Sequence, residues 1–235
     1  MNNKKSICIL GGIGPQASSH MYKLLIELSV KYFGVIDNDD FPEIILHSIP
    51  VPDFISNRSE RKIAFEMLKR RIIQSESFNI LYFAIACNTA HVLINKLQTV
   101  SKVPFISMID EVAKKIVKDK ANKIGLLATP STIKYALYQK ALWKKGIGVI
   151  IPSKKEQASI EEIIRKVLKG KNASYDRDKL LLISDSLRQK GAGGIILGCT
   201  ELPLVFPKRY ILPTYNSVEI LAMALLQKYY KQNTI

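Results

Sequence analysis

The chain predicts an α/β fold of two pseudo-symmetric lobes, each a mainly parallel sheet flanked by helices, with the active site in the cleft between them. Three observations predict it. Short β-branched apolar runs alternate with longer segments of helical period, and strands joined through helices pair in parallel because a parallel pair needs a crossover that a helix supplies. The alternation then begins again in the second half of the chain. Landmarks of the first series recur in the second at nearly constant offset: Ile9-Leu10 before a glycine turn is matched by Leu126-Leu127 before Ala128-Thr129-Pro130, 117 residues on, and Cys87 by Cys199, 112 residues on.

Taken in order, residues 6–10 read as a strand that ends in the turn Gly11-Gly12-Ile13-Gly14-Pro15, followed by a helix over 16–33. Residues 43–49 form a second strand, 58–74 a helix, 80–86 a third strand and 88–97 a helix; a short strand at 103–106 and a helix at 108–119 complete the series. The second series has strands at 123–128, 148–151, 194–197 and 210–212, with helices at 131–145, 156–168 and 176–189. The expected division is a first lobe over 1–120 carrying Cys87 and a second over 121–215 carrying Cys199. A C-terminal helix in 216–235 is expected to pack back on the first lobe.

Composition narrows the function classes. With 235 residues, 47% of them hydrophobic and 23% charged, the chain is neither disordered nor fibrous. No run reaches the ~18 apolar residues of a membrane span, and the apolar stretch at residues 7–10 is too short for a signal-peptide core, so a soluble cytoplasmic protein is expected. The 35 Lys and Arg against 20 Asp and Glu give a formal charge of +15, but the basic residues are dispersed through amphipathic helices. A solvated surface is therefore expected, with neither a nucleic-acid nor a membrane partner. Three cysteines without a CxxC pair or a histidine cluster argue against a disulfide framework and against a metal site.

Cys87 and Cys199 each follow a buried strand where a helix is expected to begin. There, unpaired amide N–H groups and the helix dipole would stabilise a thiolate. Their equivalent placement in two repeats makes both candidate catalytic groups, whereas Cys8, inside the first strand without polar company, reads as structural. Two thiols suit the removal of a proton from one face of a carbon and its return to the other, one residue being thiolate and its counterpart thiol. Sulfurs that each approach such a carbon at about 3 to 3.5 Å lie too far apart to form a disulfide.

Gly11-Gly12-Ile13-Gly14-Pro15, Ala86-Cys87-Asn88-Thr89-Ala90-His91 and Gly198-Cys199-Thr200-Glu201-Leu202-Pro203-Leu204 together resemble the aspartate/glutamate racemase family over essentially the whole chain. The resemblance implies racemisation of aspartate or glutamate by two cysteines, without pyridoxal phosphate or metal. It implies a small acidic amino acid as substrate and a homodimeric enzyme. Glutamate racemases usually carry histidine after the second Cys-Thr pair, and Glu201 there is similar to the aspartate racemase branch. By resemblance, Gly12, Ile13, Asn88, Thr89, Thr129, Ser131, Thr132, Thr200 and Glu201 form the substrate surroundings. Lys169, with Lys171 as competitor, falls where aspartate racemases place a lysine for a substrate carboxylate.

Bland readings stand beside these. The hydroxyl and amide side chains also suit capping, Glu201 could orient a thiol or simply sit in a favourable first helical turn, the second reading being preferred, and His91, one turn after Cys87, also suits packing. His20 and His47 show no constellation. After Pro52-Asp53, where an arginine is expected, the chain has Phe54, with Arg58 one turn along, and this departure loosens the assignment to aspartate more than that to racemisation. It keeps hydantoin racemase, maleate isomerase and decarboxylase relatives in play. Gly12, Gly14 and Ala17 match a dinucleotide fingerprint, but Pro15 lacks an N–H for a pyrophosphate and no acid ends the second strand. A non-catalytic two-lobed binding protein is the other class, and it would tolerate alkylation of its thiols.

Overall fold

The computed structural model describes residues 5–52, 60–171 and 174–233. They form two compact units, one of residues 1–108 with 218–235 and one of residues 109–217.

In the first unit β1 (Ser6–Gly11) leads to α1 (Pro15–Phe33), β2 (Ile44–Ser48), α2 (Arg61–Gln74) and β3 (Ile80–Ile85). A five-residue 3-10 segment, Thr89–Leu93, then runs into α3 (Ile94–Gln98) and β4 (Phe105–Ile106). All pairings are parallel, in the order β2-β1-β3-β4. Alternation along β1 divides the interior, because successive side chains point to opposite faces. Ile7 and Ile9 join a core with Met21, Leu25, Leu221 and Leu225, whereas Cys8 and Leu10 join Phe65, Leu68, Phe83 and Ile85. A sheet apolar on both faces is what helices on both sides require.

The second unit holds nearly all of α4 (Met108–Lys118), then β5 (Lys123–Ala128), α5 (Pro130–Lys134), α6 (Leu137–Trp143), β6 (Gly148–Ile150), α7 (Lys154–Leu168), α8 (Ser174–Gln189), β7 (Ile195–Gly198) and β8 (Thr214–Asn216). Its sheet is again fully parallel, in the order β6-β5-β7-β8, the order of the first sheet repeated strand for strand. The last helix, α9 (Ser217–Asn233), sets Val218, Leu221, Leu225 and Tyr229 into the first unit's core. No described helix is long and apolar enough to cross a membrane.

The structure differs from the sequence reading in four places. The units divide after Met108 and after Ser217 rather than at 120 and 215. Ser217, the last residue of the second unit, donates its hydroxyl to the Leu197 carbonyl at 2.8 Å. The helix expected over 131–145 is two helices, broken at Ala136, whose φ of 54° lies in the left-handed region. The last strand is not at 210–212. Tyr210 instead donates its hydroxyl to Asp185 at 2.8 Å and meets the Phe206 ring edge-on, and the strand opens only after Pro213, whose carbonyl accepts from Ile195 N–H at 2.9 Å. Proline has no N–H to give a ladder, so it precedes the strand rather than sitting in it. Finally, the cysteines are followed by 3-10 turns, Thr89–Leu93 and Leu202–Leu204, and not by α-helices that begin at once.

Candidate functional site

Cys87 and Cys199 lie just past the carboxyl ends of β3 and β7, the strands that occupy equivalent places in the two sheets. Parallel sheets present their ligand-binding loops at this edge. Each cysteine is set by its own unit.

In the first unit, β1 and β3 end side by side, with Ala86 N–H donating to the Leu10 carbonyl at 3.0 Å. Gly12 takes φ +78°, and a Cβ there would come within 2.2 Å of the Ile49 amide nitrogen, so only glycine lets the β1 exit pass this close to the end of β2. Its N–H is already engaged, donating to Ser18 Oγ at 2.8 Å, while Ser18 donates on to the Gly14 carbonyl at 3.1 Å. In this structure the Gly12 amide is thus taken up within the turn. Ile13, half-buried, packs on the cluster that contains Cys87. Cys87, Asn88 and Thr89 are all buried, and the Asn88 side chain does not cap the 3-10 turn it precedes.

His91 proves to be a fully engaged core residue. Its Nδ1 lies 2.8 Å from the Cys87 carbonyl oxygen and its Nε2 accepts from Met108 N–H at 3.0 Å. A carbonyl only accepts and an amide only donates, so the ring is neutral with its proton on Nδ1.

In the second unit, Gly198 is enclosed: an added Cβ would meet Leu126 at 2.9 Å and the Tyr138 ring at 3.0 Å. This tight floor carries the chain into Cys199, Thr200 and Glu201, each at most 5% exposed. The Cys199 thiol donates to Glu201 Oε2 at 3.0 Å and the Thr200 hydroxyl donates to the same oxygen at 2.9 Å. Burial holds the Glu201 carboxyl above the ordinary carboxylate range, against these two hydrogen bonds, which pull it down. Glu201 thus bonds the thiol directly, the alternative to the preferred reading of it as a favourable first-turn residue. Behind the turn, fully buried Tyr138 bonds the Ser217 hydroxyl that holds Leu197; burial raises the phenol strongly. Neither residue carries a sequence signal that singles it out.

Thr129 caps α5. Its Oγ1 accepts from Thr132 N–H at 3.1 Å and donates to Thr132 Oγ1 at 3.0 Å, with Ser131 buried beside them. The capping reading therefore accounts for this pair. Gln157 of α7 reaches the β5 exit, donating to the Ala128 carbonyl at 2.9 Å. Lys169 is exposed at the other end of α7, about 18 Å of helix from Gln157 at 1.5 Å per residue, and Lys171 is exposed two residues further. Asp53, Phe54 and Arg58 lie outside the described residues.

Cys8 differs from the other two thiols. It is buried within β1, donates weakly to Ser75 Oγ at 3.7 Å, and is pushed up to about 11 by burial, so it remains a thiol. His47 Nε2 sits 2.7 Å from the same serine oxygen. Among the described residues no group of three or more His, Cys, Asp or Glu side chains is arranged to hold a metal ion, and no disulfide forms.

Comparison with known proteins places this arrangement. The family model described as Asp/Glu/hydantoin racemase matches residues 10–225. The broad-specificity amino-acid racemase RacX of Bacillus subtilis (strain 168) is 28% identical over 228 residues, 95% of this chain and 97% of that protein. An aspartate racemase homologue from Pyrococcus horikoshii OT3 superposes with a TM-score of 0.77 at 30% identity, covering 96% of this chain and 99% of its own. The aspartate racemase of Picrophilus torridus gives a TM-score of 0.81 at 26% identity over 96% of this chain and 94% of that one.

Proposed function

The chain belongs to the Asp/Glu/hydantoin racemase family, and from that premise we propose that it racemises amino acids with Cys87 and Cys199 as its two acid–base groups. One observation carries this reading. Two buried thiols follow equivalent strands of two sheets that share one topology, a placement that packing alone has no reason to repeat.

In the proposed mechanism one cysteine, as thiolate, removes the α-proton from one face of the amino-acid carbon while its counterpart, as thiol, delivers a proton to the opposite face. The roles exchange for the other enantiomer. The α-proton is weakly acidic, so the base has to be desolvated and held in place, and both cysteines are buried, Cys87 8% and Cys199 5% exposed. Glu201 orients the Cys199 thiol and stands where it can take up or return that thiol's proton. Asn88, Thr89 and Thr200 are the buried donors nearest the two thiols in sequence, and in this reading they hold the α-carboxylate and ammonium group. Neither pyridoxal phosphate nor a metal takes part.

Aspartate or glutamate is the proposed substrate, with Arg58 for the side-chain carboxylate; Lys169, the other candidate, stands at the far end of α7 from Gln157. A wider range has its own support: the relative similar over 95% of this chain is a broad-specificity racemase, and Phe54 stands where an arginine would grip a carboxylate. The test is α-hydrogen exchange in heavy water, followed by proton NMR over a panel of L- and D-amino acids. The reading expects exchange with both enantiomers of aspartate or glutamate, surviving dialysis against chelator in protein that shows no cofactor absorbance. Exchange confined to neutral or aromatic amino acids would remove the acidic assignment, and exchange with none would remove the racemase reading.

A further inference from the structure

We infer that His91 is a positioning residue for Cys87, acting through the carbonyl of Cys87 itself; the inference rests on the two-cysteine reading above.

The chain winds tightly after β3. In an α-helix the His91 N–H would bond the carbonyl four residues back, that of Cys87. Here the segment winds as a 3-10 turn, and His91 N–H donates to the Asn88 carbonyl at 3.1 Å instead. The Cys87 carbonyl lies in a region where every flanking residue is buried. The imidazole of His91 donates to it through Nδ1–H at 2.8 Å. Its other nitrogen takes the N–H of Met108, which opens α4 and so has no intrahelical partner. One neutral ring thus bonds backbone groups of two different elements.

The consequence falls on the reacting side chain. The Cys87–Asn88 peptide is planar and trans, so fixing its C=O on the ring fixes the plane, the ψ of Cys87, and the Asn88 N–H, which points opposite to the carbonyl. The Cα–Cβ bond that carries the thiol and the first amide after it are therefore held by the same contact. His91 itself, 4% exposed with both nitrogens engaged, does not touch substrate and takes no part in proton transfer.

Three variants separate this role from plain packing. His91→Asn can place an amide N–H at the Nδ1 position and keep the Cys87 contact while giving up Met108. His91→Gln can place its oxygen at the Nε2 position and keep Met108 while giving up Cys87. His91→Ala gives up both. The readout is solvent deuterium exchange into each enantiomer of aspartate, or of the fastest-exchanging amino acid of the panel, with thermal unfolding in parallel. The enantiomer served by Cys87 is the one whose exchange Cys87→Ser removes. Its exchange is expected to fall by about 100-fold in the Gln and Ala variants, the scale of a misplaced reacting group, and by much less in the Asn variant. Exchange of the opposite enantiomer should stay near the wild-type rate in all three. In wild-type protein, ¹⁵N NMR of the imidazole should report the Nδ1-protonated form, a reading that depends on no variant. Equal loss for both enantiomers, an Asn variant no better than Gln, or an Nε2-protonated ring would each overturn the assignment and leave the two-cysteine reading standing. If Cys87→Ser exchanges both enantiomers as wild type does, that reading fails and the role of His91 falls with it.

Discussion

Replacing Glu201 probes the proposed chemistry at the point where the geometry is most explicit. Cys199 and Thr200 donate to one oxygen of this carboxyl at 3.0 and 2.9 Å, and all three residues are buried. Hydrogen bonds to a charged group contribute about 1.5 to 3 kcal/mol each, roughly twice the neutral value. Glu201→Gln can leave an amide oxygen where Oε2 stands, so both contacts persist as neutral ones and about 1 to 2 kcal/mol of the thiol's restraint is lost. Because 1.4 kcal/mol corresponds to about tenfold in rate, exchange of the enantiomer served by Cys199 should fall about tenfold. Glu201→Ala leaves the buried thiol and hydroxyl without this acceptor, a penalty of about 1 to 3 kcal/mol for each group, and the same exchange should fall by about 100-fold or more. The two penalties together, about 2 to 6 kcal/mol, are a large share of a typical stability of about 5 to 15 kcal/mol, so thermal unfolding is followed in parallel and the Gln variant carries the test if the Ala variant unfolds. The assay is heavy-water exchange into the separate L- and D-enantiomers, with Cys199→Ser as the reference. Wild-type exchange by the Ala variant, or equal slowing of both enantiomers, would refute the argument that Glu201 acts through Cys199.

Cys87→Ser and Cys199→Ser should each abolish racemisation, yet each should retain slow exchange with retention for one enantiomer, and the two should retain opposite ones. Full racemisation by either protein would end the two-thiol mechanism. Stability should carry the mark of Glu201: burial raises its folded pKa, so its contribution is fully present below the unfolded carboxyl value of about 4.3 and is lost as pH rises through the folded value. Urea unfolding of wild type against Glu201→Gln should therefore show the wild type losing ground between about pH 4 and neutrality, and the opposite slope would contradict the sign. Gly12→Ala should cost about 3 kcal/mol or more, since it adds a left-handed penalty to a 2.2 Å approach to backbone, read as a lower urea midpoint. Native alkylation with iodoacetamide at neutral pH should leave Cys8 unmodified, because burial holds it at about 11; rapid labelling of Cys8 on peptide mapping would count against its placement.

The alternation of β1, the periods of the helices, the two-fold repetition and the strand-end positions of Cys87 and Cys199 are all legible in the chain, because each depends on residues within a few positions of one another. The glycine turn after β1 is legible for the same reason. What the residues of that turn do is another matter. Gly12 gives its amide to Ser18, a contact that exists only once α1 has folded onto the turn. His91 takes Met108 as partner across 17 residues, and Ser217 holds Leu197 across 20; neither pairing has a periodicity to announce it. Local propensity also loses where packing competes. The helix expected through Ala136 breaks there, and the strand expected at 210–212 yields to Tyr210 on Asp185. Glu201 shows the division most clearly. Its place in the sequence is consistent with orienting a thiol or with a favourable charge near a helix start, and the fold, by turning the chain tightly after Gly198, sets its carboxylate against the thiol two residues before it. Patterns of polarity along a chain determine which faces are buried, whereas the direction of a hydrogen bond is settled by where the rest of the molecule places its donor.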